Sequence, residues 1–188
     1  AAESDAIIDF TGLAAKNNGV TIFMAFKVDD FIDNQNDIMG NNTFVNDVNG
    51  FGLRYDSEGK PRVYVGGQKI TLNNHHIQKD ETVVYAVNYD KSKKLLTFWN
   101  SSSETTETTT LLPEDFSNNE AFALGGTGSG SGDNRFLYGM VGEVKIYNYS
   151  LNDSVFDEEC KYLSDKWING LPPAVSWIED TLVKSDAT

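Results

Sequence analysis

The densest group of potential metal ligands in the chain is the stretch VDDFIDNQND, where Asp29, Asp30, Asp33, Asn34, Asn36 and Asp37 crowd together. Calcium takes this kind of mixed shell of carboxylate, amide and backbone oxygens, so Asp29, Asp30, Asp33 and Asp37 are the expected ligands if a metal is bound. The string is not an EF-hand loop, because Ile38 stands where that loop requires glycine and no glutamate follows at the right distance. The competing reading is a solvated acidic loop that keeps a strand end from pairing with another chain. The surplus of acid over the whole sequence favours it.

Catalytic constellations are hard to assemble. A retaining glycosidase needs two carboxyls about 5 to 5.5 Å apart, most simply delivered by alternating acids on one strand. Glu143 stands alone on its strand, while Glu104 and Glu107, three apart in SSSETTETTT, would point to opposite faces. Asp157, Glu158 and Glu159 read as a solvated helix face. The two histidines, His75 and His76, are adjacent, so in an extended segment they point to opposite sides and do not readily share a metal. Cys160 is the single cysteine, without a disulfide partner, and falls on the apolar face of a helical pattern where a thiol is inert. The chain is therefore expected to be non-catalytic.

Recognition chemistry is better represented. Sugar binding needs an aromatic face against C–H groups together with amides and carboxylates for the hydroxyls. Trp99 is the leading candidate for such a platform and Tyr64 the second, with Tyr85 and Tyr89 on neighbouring patterns; each competes with ordinary cross-strand packing. His75 and His76, in the polar stretch LNNHHIQ, can offer a hydrogen bond to a hydroxyl. The glycine-rich GGTGSGSGDN at 125–134 matches neither GxxxxGK[ST] nor GxGxxG, which removes a phosphate cradle. It reads instead as a rim loop between two strands, with Asp133, Asn134 and Arg135 as the side chains able to touch a ligand.

Composition narrows the partners. With 28 acidic against 15 basic residues the 188-residue chain carries −13, a field that repels nucleic acid and anionic headgroups. No apolar run approaches the roughly 20 residues of a spanning helix, so membrane insertion is not expected.

The elements that must position these residues follow from periodicity. In GVTIFMAFKV, Val20, Ile22, Met24, Phe26 and Val28 share one parity, and similar alternation returns in GFGLRYD, RVYVGG, TVVYAVNYD, KLLTFWN, AFALGG and MVGEVKIYNYS. DSEGKP at 56–61 and DKSKK at 90–94 carry hairpin-turn chemistry, whereas 33–49 reads as a long polar loop. One helix is expected in NDSVFDEECKYLSDKWING: Asn152 caps it, Gly170 stops it, and Phe156, Cys160, Leu163 and Trp167 form the face that docks. Short strands at regular spacing with one late helix predict an all-β, two-sheet antiparallel sandwich.

The order of glycine-rich loop, then Gly142, Glu143, Val144, Ile146, Tyr147 and Asn148 on a strand, then Leu151, Asn152, Asp153, Leu163 and Trp167 around a helix, resembles the laminin-G-like branch of the concanavalin A-like lectin/glucanase superfamily. The hairpin VVYAVNYDKSKKLLTFWN is also similar to the family's strand pair, with FWNS in place of its usual final NG. The resemblance implies a jelly-roll sandwich, and since Pro172 and Pro173 end the compact pattern the domain is taken as residues 1–171, followed by a C-terminal arm or linker at 172–188. It also implies that a calcium at the sandwich rim is the only cofactor to be sought, and that the catalytic string Glu-x-Asp-x-x-Glu of the family's laminarinase-like members is missing. The expected function is a non-catalytic module that binds glycan or a surface protein through rim loops, at a cell surface, outside the cell or on a virion. The alternative is a structural or decoration module within a larger assembly or multidomain parent chain, and a polysaccharide-active enzyme ranks third.

Overall fold

The computed structural model describes residues 19–31, 36–40, 51–65, 68–72, 75–104, 106–110, 123–126 and 137–170. Within them lie β1 (Gly19–Val28), β2 (Asn36–Gly40), β3 (Phe51–Tyr55), β4 (Pro61–Val65), β5 (Gln68–Thr71), β6 (Thr82–Asp90), β7 (Leu95–Asn100), β8 (Thr106–Thr110), β9 (Ala123–Leu124), β10 (Gly139–Tyr147) and one helix, α1 (Asp153–Trp167). The strands form two five-stranded sheets in the orders β10-β1-β6-β7-β8 and β5-β4-β3-β2-β9. Every pairing is antiparallel. The expected sandwich with one docked helix is the fold observed.

The alternation in β1 explains how the layers stack. Val20, Ile22, Met24, Phe26 and Val28 face the second sheet and meet Val83, Tyr85, Val87, Tyr89, Leu96 and Phe98 from β6 and β7, and Phe51, Leu53, Tyr55, Val63 and Val65 across the sandwich. The other parity is apolar at its centre. Phe23 and Ala25 join Val84, Ala86 and Trp99 to form the bed on which Phe156, Cys160 and Leu163 of α1 lie. Because α1 covers the outer face at its centre, β1 and β6 are buried on both sides, while residues of the edge strands β10 and β8 stay exposed.

Turn chemistry places the hairpins as expected. Between β3 and β4, Asp56 accepts hydrogen bonds from the amides of Glu58 (2.9 Å) and Lys60 (3.0 Å). Gly59 adopts φ +75°, and a Cβ there would lie 2.2 Å from the Ile77 carbonyl, so only glycine fits. Between β6 and β7, Asp90 performs the same service for the amides of Ser92 (3.0 Å) and Lys93 (3.1 Å). Asn152 caps α1 by accepting from the Val155 amide at 3.1 Å, and Gly170 takes φ +61° just beyond its end.

One expectation is corrected. The stretch 33–49 is not loop throughout, because β2 runs through Asn36–Gly40 and is wholly buried. A register shift against β3 between Asp37 and Met39 brings both Ile38 and Met39 into the core. A bulge of this kind breaks the period-2 signal that would otherwise mark the strand. No helix among the described residues is long and apolar enough to cross a membrane.

Candidate functional site

A cleft of about 400 Å³ opens where the C-terminal half of α1 passes over the end of β7, lined by Trp99, Glu104, Asp157, Cys160, Lys161, Ser164, Asp165 and Asn169. Its floor follows from strand parity. Leu96 and Phe98 point into the sandwich, so Trp99 points outward beside the helix, and only 8% of it remains exposed. Its wall follows from helical spacing, since Asp157, Lys161, Ser164 and Asp165 recur at intervals that keep them on one flank of α1.

Glu104 closes the mouth from the turn after β7. Its backbone takes φ +48°, a left-handed conformation uncommon for a residue with a side chain. The turn before it is tightly held. The Asn100 side-chain oxygen accepts from the amide (2.9 Å) and hydroxyl (2.8 Å) of Ser103, and Ser101 exchanges two hydrogen bonds with the backbone of Val84. Glu104 is thus presented by a fixed turn rather than a loose loop.

Charge inside the cleft is unevenly compensated. Lys161 Nζ lies 2.6 Å from Asp165 Oδ2, and Asn169 donates to Asp165 Oδ1 at 3.0 Å. These two contacts, Lys161 first, hold the Asp165 carboxyl below the usual carboxylate range. Burial, reinforced by Asp157 and Glu159, pushes the Cys160 thiol well above its ordinary value, so it stays protonated and inert.

The residues singled out from sequence fall in different places. Trp99 borders the cleft, but most of its surface packs under α1 with Phe156, Cys160 and Leu163. Tyr64 is not an open platform: it is 3% exposed, and the Arg54 guanidinium covers its ring at 4.5 Å from the centroid. Tyr85 and Tyr89 are core residues of the sandwich. His75 is also interior, packed edge-on against Tyr85 at 5.4 Å, with burial lowering its pKa; His76 next to it is exposed. Asp133, Asn134 and Arg135 lie outside the described residues, as does Asp33.

The other acidic residues of the calcium candidate diverge. Asp29 sits 3.0 Å from Lys27, Asp30 lies 3.1 Å from Lys79, and Asp37, buried on β2, faces its cross-strand partner Arg54. Among the described residues no three His, Cys, Asp or Glu side chains are grouped to hold a metal ion. A strand boundary inside the acidic run separates its members, because Asp29 and Asp30 end at the rim while Asp37 enters the sheet.

Lys161, Asp165 and Asn169 are not singled out by the sequence, and Glu104 enters there only as a catalytic carboxylate set aside. The helical spacing of 157, 161 and 165 marks one flank of α1, yet nothing local connects that flank to a turn 50 residues earlier. Only the crossing of helix and strand brings them together.

Several solved structures share the fold, three of them as follows. A Bacteroides ovatus protein is 20% identical with a TM-score of 0.59 over 73% of this chain. The Streptococcus pneumoniae NanB sialidase is 20% identical with a TM-score of 0.58 over 82% of it. The CBM40 of the Ruminococcus gnavus IT-sialidase, bound to α2,3-sialyllactose, is 19% identical with a TM-score of 0.58 over 76% of this chain and 82% of its own. The present chain spans only 39% of the Bacteroides protein and 26% of NanB. Comparison with curated proteins finds no match. The laminin-G-type family model described as the concanavalin A-like lectin/glucanases superfamily matches residues 3–154, and the chain belongs to that superfamily.

Proposed function

We propose that the chain is a glycan-recognition module that works without catalysis, at a cell surface or outside the cell. The observation that carries this reading is the cleft between α1 and β7, where an indole is ringed by carboxylates, an amide, a hydroxyl and an ammonium. Its volume of about 400 Å³ falls within the roughly 300–1,000 Å³ of small-ligand sites, and its mixture of one aromatic and several planar polar groups suits a sugar. The CBM40 bound to α2,3-sialyllactose, which shares the fold, adds support at the level of ligand class.

The protonation of the carboxyls supports a binding role over hydrolysis. A glycosidase needs one carboxyl held in its acid form by a raised pKa. Four carboxyls, Asp30, Asp90, Glu143 and Asp165, are instead held low. Hydrogen bonds and lysine partners account for this, overcoming at Asp90 and Glu143 the upward push of burial.

A glycan array probed with and without calcium tests the reading. Binding to at least one glycan class, reduced in Glu104→Gln, is expected, and the calcium arm examines the rim acids Asp29 and Asp30. Absence of binding to every glycan at high protein concentration overturns it.

A further inference from the structure

Asp165 is engaged by Lys161 and Asn169, so the one ammonium in the cleft is already neutralised. Glu104 and Asp157 have no hydrogen-bond or ion-pair partner among the described residues, which leaves two unmatched carboxylates facing the same space. Two donors are also unmatched. Trp99 and Ser164 are each 92% buried and line the cleft, and neither the indole N–H nor the Ser164 hydroxyl is bonded to a described residue.

We infer that the helix–strand cleft binds a protonated amino sugar, a hexosamine ring carrying a free ammonium group. The two free carboxylates favour a cation and repel an acidic sugar, in a protein whose overall charge of −13 acts in the same direction. The unmatched indole N–H and serine hydroxyl favour ring hydroxyls, which accept where an ammonium only donates. A simple polyamine satisfies the first pair and not the second; a neutral sugar satisfies the second and leaves the first without charge compensation. An amino sugar meets both. The left-handed Glu104, fixed by the Asn100 and Ser103 hydrogen bonds, holds one carboxylate in place before the ligand arrives.

This inference rests on the glycan-recognition reading and deepens it. Calorimetric titration of the full 188-residue chain with a fully deacetylated glucosamine trimer, its N-acetylated counterpart, spermidine and α2,3-sialyllactose tests it. The deacetylated trimer is expected to bind most tightly, with an affinity that falls as salt rises. The double variant Glu104→Gln/Asp157→Asn is expected to weaken that binding on the order of tenfold, the sum of two exposed ion pairs. Both positions are exposed, so its thermal unfolding should match the parent's.

Equal binding of the acetylated and deacetylated trimers, or an unchanged double variant, overturns the amino-sugar assignment while leaving glycan recognition standing. Spermidine binding as tightly as the deacetylated trimer overturns the sugar half of it. Binding of other glycans on the array without any of the trimer places recognition elsewhere on the molecule. Only silence from every glycan removes both readings.

Discussion

Trp167 donates its indole N–H to the Glu143 carboxylate at 2.8 Å and rests its ring over Gly142. The last turn of α1 is thereby pinned to the edge strand β10, and Lys166 joins the same carboxylate at 2.7 Å. Burial alone would raise the Glu143 pKa, but the bonds from Lys166 and Trp167 outweigh it and keep the carboxyl ionised. Three of the residues that carry the family resemblance in sequence, Gly142, Glu143 and Trp167, are in mutual contact.

A side chain at 142 should break this clasp. A Cβ there would meet the Trp167 ring at 2.7 Å, and the ring is held by its hydrogen bond. Gly142→Ala is expected to lower stability by about 1–3 kcal/mol, as overpacking does. Urea unfolding checks the value, and combining it with Trp167→Leu should recover part of the loss.

A second hold on α1 is polar and buried. The Leu151 amide donates to Thr21 Oγ1 at 3.1 Å, Asn88 Nδ2 donates to the Leu151 carbonyl at 2.9 Å, and the Thr21 hydroxyl lies 2.8 Å from Asn88 Oδ1. Thr21→Val keeps the shape and removes the hydroxyl, leaving a buried amide unpaired. The expected cost is about 1–3 kcal/mol, with Thr21→Ser nearly neutral by the same unfolding measurement.

Asp37 and Arg54 face each other across β2 and β3, both almost wholly buried. Asp37→Leu should be severe, about 3–5 kcal/mol, because the guanidinium would remain buried without its counter-charge. Asp37→Leu with Arg54→Met should cost less than Asp37→Leu alone. A double-mutant cycle from chemical denaturation reads this directly.

His75 gives stability a pH dependence of known sign. Burial is the main cause that lowers its folded pKa, with His76 adding to it and Glu81 opposing, so the folded state resists the proton. The contribution is fully present above the unfolded value of about 6.5 and is lost as pH falls below it toward the folded value. Unfolding free energy measured at pH 7.5 and 5.5 should drop for the parent and drop less for His75→Gln. An equal drop in both removes His75 as the source.

Much of the scaffold was legible because the signals are local. The β1 alternation named the core residues Val20, Ile22, Met24, Phe26 and Val28, and the Asp56 and Asp90 turns and the Asn152 cap are each set by a side chain bonding to backbone two to four residues away. Sites were less legible because they depend on which outward face is covered. Tyr64 and Trp99 both point out of their sheets, yet Arg54 covers one and α1 the other. The acidic run was misread as one loop because the β2 bulge hides a strand inside it.

The only cysteine lies on the sheet-facing side of α1, 2% exposed and with its thiol held protonated by burial. A reagent that needs the thiolate therefore reaches Cys160 only when the helix lifts from the sheet. Its labelling rate, set against that of an unfolded peptide, becomes a clock for that local opening, and a ligand seated over Asp157 and Lys161 should slow the clock without touching the sulfur.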